Sequence, residues 1–77
     1  MNFVKLLKQA FENKGSHIMN LDEIRVLITK IENEADSYER TIELLEAEMN
    51  DADATLMTDI RILINEYRHL SAERRPS

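Results

Sequence analysis

Glu66 and His69 stand at the Glu-x-x-His spacing that puts two ligands on one helical face, as in the four-helix carboxylate proteins that hold a di-iron centre. On that helix the inward positions are Leu63, Tyr67 and Leu70, so Glu66 flanks the seam and His69 points away from it. No metal and no other cofactor is expected. His17 lies alone in a polar stretch, where a histidine is ordinarily solvated. Carboxylates are crowded at Glu32/Asp36, Glu39/Glu43 and Glu46/Glu48, but acid–base catalysis needs a cleft that raises one pKa, and packed helices of this size offer little cleft. They read as a solvated face, with Asp36/Arg40 an ordinary pair four residues apart. The chain has no cysteine, Ser16 and Ser71 lack a base and an orienting group, and no glycine-rich phosphate loop is present. The expectation is a protein that is not an enzyme and has no small-molecule substrate.

These side chains must be positioned by helices. The 77 residues include one glycine, Gly15, and one proline, Pro76, leaving a long stretch between them without a strong breaker. Leu21, Ile24, Ile28, Ile31, Ala35, Tyr38, Ile42, Leu45 and Met49 follow a 3-4-3-4 spacing without a miss, the rhythm that keeps one seam of a helix against a partner helix. One long coiled-coil-type helix is expected over 21–49, opening at Asn20 as N-cap with Asp22 and Glu23 in its first turn. Asn50-Asp51-Ala52-Asp53 should end it, and Asp53 can cap the next helix. Leu56, Ile60, Leu63, Tyr67 and Leu70 continue the pattern to about Ala72, before a frayed tail that contains Pro76. A short polar loop between two such stripes implies an antiparallel hairpin. Facing positions should sum to about 103, which brings Tyr67 near residue 36, with Ala35 leaving room for its ring.

The arms of that hairpin are unequal, so residues 21–31 would overhang the second arm. The overhang is the most apolar part of the chain, and Leu21, Ile24, Leu27, Ile28 and Ile31 are its candidate partner-binding residues. Phe3, Leu6, Leu7, Ala10 and Phe11 form a second amphipathic stripe; Phe3, Leu7 and Phe11 are candidates for the same contact, since this helix can fold back onto the overhang. The fold class expected is therefore all-α, an antiparallel coiled-coil-type hairpin over 20–77 preceded by a short amphipathic helix over 1–14 and a linker over 15–19. Oligomerisation would complete the bundle. Gly15-Ser16-His17-Ile18-Met19 resembles the remnant of an expression-vector linker, which would make Met19 the native start and residues 1–18 an addition.

Charge narrows the partner. Residues 1–19 carry +2, residues 20–60 carry −9 and residues 61–77 carry +2, a layout that suits end segments packing on an acidic middle and disfavours nucleic acid. Neither a signal peptide nor a run of ~20 apolar residues is present, so the chain is expected in the cytoplasm without stable membrane insertion. The favoured function is a small protein-binding module, an adaptor, regulator or co-chaperone, whose apolar stripe forms a homodimer or holds a client helix.

Residues 59–67, Asp59-Ile60-Arg61-Ile62-Leu63-Ile64-Asn65-Glu66-Tyr67, resemble the second-helix segment of the small sporulation aspartyl-phosphate phosphatases. The likeness implies a helical hairpin and, as the alternative function, a regulatory phosphatase. The chain departs from that family where its Glu-Leu-Asp signature has the functional aspartate, a position held here by Arg61, and no Ser-Gln precedes it.

Overall fold

In the computed structural model, which describes residues 3–74 and the side chains of 5–73, every extended element is a helix. They are α1 (Phe3–Lys14), a 3-10 turn (Gly15–His17), α2 (Leu21–Glu34), α3 (Tyr38–Asn50) and α4 (Ala54–Arg74). Glu73 and Arg74, where fraying was expected to begin, continue α4, and residues 75–77 of the expected tail lie outside the described part.

The single helix expected over 21–49 is two helices. The axis breaks at Ala35, Asp36 and Ser37, where Ala35 and Ser37 adopt extended backbone with ψ of 134° and 167°. The break is well capped on both sides. The Ala35 amide closes α2 on the Ile31 carbonyl at 2.8 Å, and the Ser37 hydroxyl accepts the Arg40 amide at 3.0 Å as the N-cap of α3. The Ser37 carbonyl takes both the amide and the hydroxyl of Thr41, at 3.0 and 2.8 Å.

Burial explains why the chain bends there. A straight helix over 21–50 would be about 45 Å long, whereas the longest dimension of the molecule is 36 Å. Bending brings Ile24, Leu27, Ile28 and Ile31 into the same core as Ile42 and Leu45. Each such side chain gains roughly 1.5–3 kcal/mol on burial. The few helical hydrogen bonds forgone at the bend are worth about 0.5–1.5 kcal/mol each, and the caps recover part of that.

The longest helix, α4, is the spine. Asp53 caps it as expected, its carboxylate accepting the Leu56 amide at 2.8 Å. Its apolar residues spread over more than one face because α1 packs along one side and α3 along another. Pairings fix the directions: Asn13 reaches Glu66 while Met19 and Asn20 reach Asp59, so the chain runs antiparallel to α4 from α1 to the start of α2. On the other side Arg68 meets Glu46 at 3.7 Å, and the Tyr67 ring stacks on Tyr38 with centroids 5.1 Å apart and planes 14° from parallel. Tyr67 thus lands two residues beyond the expected register. The architecture is four packed helices, not two unequal arms of a coiled coil.

One residue of the segment expected to be a linker enters the core. Ile18 is buried among the apolar residues of the core, and the fully buried carboxylate of Asp59 accepts the amides of Met19 and Asn20, both at 2.9 Å. Asn20 stands at the N-cap of α2 as expected, yet its side chain makes no capping bond. A carboxylate from α4 holds the amides at this helix start instead.

Candidate functional site

The polar residues singled out by spacing are dispersed by the fold. Glu66 turns to Asn13, accepting its amide nitrogen at 2.9 Å, while His69 Nε2 lies 3.0 Å from Glu73 on an exposed surface. Among the described residues no three His, Asp or Glu side chains converge as a metal centre requires. Asp36 and Arg40 do not pair; Arg40 reaches Glu43 at 3.2 Å. The other carboxylates spread into surface pairs: Lys8 with Glu32 at 3.0 Å and Lys30 with Glu48 at 2.9 Å. The hydrogen bond and charge of Glu48 hold the Lys30 ammonium above its ordinary pKa.

Among the described residues, four polar side chains lie inside. Asp59 is the clamp already described. Thr41, Tyr67 and Ser71 are buried between the helices, and the hydroxyls of Tyr67 and Ser71 have no partner in hydrogen-bonding geometry. Burial pushes the Tyr67 phenol above its ordinary pKa, opposed by the nearby Thr41 hydroxyl, which itself donates to the Ser37 carbonyl. Spacing gave no hint of the role of Asp59. It stands next to Ile60 in the apolar rhythm, and only the arrival of residues 19 and 20 beside α4 reveals it. In the segment that resembles the phosphatases, then, the aspartate is committed to two backbone amides and Arg61 is exposed.

The candidate partner-binding residues divide. Leu7, Ile24, Leu27, Ile28 and Ile31 are brought together and buried within their own chain. Phe11 is half-buried, with the Arg25 guanidinium 5.9 Å above its ring. The side chain of Phe3 lies outside the described residues. Leu21 remains exposed at 39%, together with Met19 at 75% and Val26 at 70%. Met19 precedes α2, Leu21 is its first residue and Val26 lies in its second turn. No described helix is long and apolar enough to cross a membrane. Set beside known proteins, the chain matches no family description, no curated protein and no solved structure.

Proposed function

We propose that this chain is a cytoplasmic protein-binding module, an adaptor, regulator or co-chaperone in kind, that meets a helix of a client or of a second copy through the exposed start of α2. The observation that supports this reading is the placement of Met19, Leu21 and Val26. They are the large apolar side chains left exposed among the described residues, and they fall within one short stretch of chain. The stretch includes Leu21, the one candidate partner-binding residue of 21–31 that the fold leaves exposed.

Covering a large aliphatic side chain contributes roughly 1.5–3 kcal/mol, and association costs about 4–15 kcal/mol in lost freedom. Three such side chains therefore suit a reversible contact, strengthened by whatever the partner adds around Asp22, Glu23 and Arg25. Leu27 and Ile31 cannot serve as test positions, because both are core residues of the folded chain and charge there would unfold it. Leu21→Ser/Val26→Ser changes only exposed positions. Sedimentation of wild type and variant up to high micromolar concentration, with cross-linking of both in cells, should show association that the variant loses at unchanged helicity. Equal association by the two proteins would place the contact elsewhere.

A further inference from the structure

The unbroken heptad rhythm and the broken helix make an unusual pair. From Leu21 to Met49 the apolar spacing is that of one continuous seam, and the hinge Ala35-Asp36-Ser37 contains no glycine or proline. No described residue there has positive φ, so nothing in the covalent chain prevents the three residues from becoming helical. What holds the bend is the Ser37 cap and the tertiary contacts of the α1–α2 half with the α3–α4 half. Every one of those contacts can be supplied equally well by a second copy of the same chain.

We propose that the protein has a second state, a reciprocally exchanged dimer, in which α2 and α3 straighten through Ala35–Ser37 into one helix and the α1–α2 half of each copy packs on the α3–α4 half of the other. The core contacts, including the Asp59 clamp on Met19 and Asn20, are kept, now made between chains. The hinge residues gain helical hydrogen bonds, and the seam at Ala35 and Tyr38 meets its counterpart where the two long helices cross. A straight helix of about 45 Å exceeds the 36 Å length of the single folded chain, so straightening necessarily withdraws one half from the other and calls for the second copy. Short hinges between packed halves are the known route to such exchange. This state does not use the exposed residues at the start of α2 and stands or falls apart from them.

A distance across the hinge reads the state directly. Lys30 and Glu48 are in contact at 2.9 Å although 18 residues apart, while 18 residues of straight helix span about 27 Å. Spin labels on Thr29→Cys and Ala47→Cys, exposed positions beside that pair, keep the ion pair intact and preserve the 18-residue separation. With labelled chains diluted into unlabelled protein, only the distance within one chain is measured. The monomer should give a short distance and the dimer fraction a peak near the straight-helix value, growing with total concentration. Ser37→Ala, which removes the cap of α3, should raise the dimerisation constant about fivefold for each of the two hinges. Asp36→Pro should keep the chain monomeric, because proline favours the extended backbone already present at Ala35 and cannot sit within a continuous helix. A dimer whose intrachain distance stays short would overturn the proposal in favour of side-by-side association. So would the absence of any dimer in wild type at millimolar concentration; that measurement decides the matter even if a hinge variant fails to fold.

Discussion

Replacing Asp59 by alanine removes the group that ties the start of α2 to α4. The carboxylate is fully buried and accepts two backbone amides at 2.9 Å. Hydrogen bonds to a charged group contribute about 1.5–3 kcal/mol each, and a negative charge near a helix N-terminus adds roughly 0.3–1 kcal/mol. Against this stands the cost of desolvating the carboxylate, which the alanine variant is spared. The balance is a net loss of about 3 kcal/mol, a large share of the roughly 4–12 kcal/mol that a chain of this length commands. Asp59→Asn keeps one acceptor but turns an NH2 group toward the second amide, so about 2 kcal/mol should be lost. Urea titration at neutral pH gives both numbers, and hydrogen exchange at the Met19 and Asn20 amides should quicken in each variant. A change under about 0.5 kcal/mol for Asp59→Ala, with protection of the two amides unaltered, would refute the clamp.

The remaining expectations concern the core and the turn. Leu45→Ala and Leu63→Ala, both at fully buried positions, should each cost about 2–5 kcal/mol through lost burial and a residual cavity, whereas exposed Glu39→Ala should leave the urea midpoint almost unmoved. Tyr67→Phe discards a buried hydroxyl without a partner, so it should be neutral or stabilise by about 1 kcal/mol; a loss larger than that would mean the oxygen is satisfied. Because the folded state raises the Tyr67 pKa, its contribution is whole below about pH 10, the ordinary value, and is lost as pH climbs through the raised one. The gap between the melts of wild type and Tyr67→Phe should therefore stay constant up to that pH and change only in strong alkali. Gly15 has neither positive φ nor an atom within 4 Å of where a Cβ would stand, so Gly15→Ala should raise stability by about 0.4–1 kcal/mol, and a drop in melting temperature would contradict that geometry.

By itself the sequence determined that the chain is helical, which side of each helix is apolar and where α4 begins. One glycine and one proline leave helix as the default, Asp53 caps as its type and position require, and Leu45, Leu63 and Tyr67 are buried because they lie on the stripe. Tertiary structure alone decided that the stripe from Leu21 to Met49 bends. A loop of three residues is close to one helical turn of 3.6, so the 3-4 rhythm passes over Ala35–Ser37 without a missed beat, and spacing records the apolar face but not whether the axis continues. Whether it bends depends on what can cover Ile24, Leu27, Ile28 and Ile31, and within one chain that cover comes from α1 and α3 packing against α2, an arrangement that spacing along α2 does not record. The same holds for Asp59. A carboxylate beside an apolar stripe looks like surface until residues 19 and 20, some forty positions away, bring it two unpaired amides.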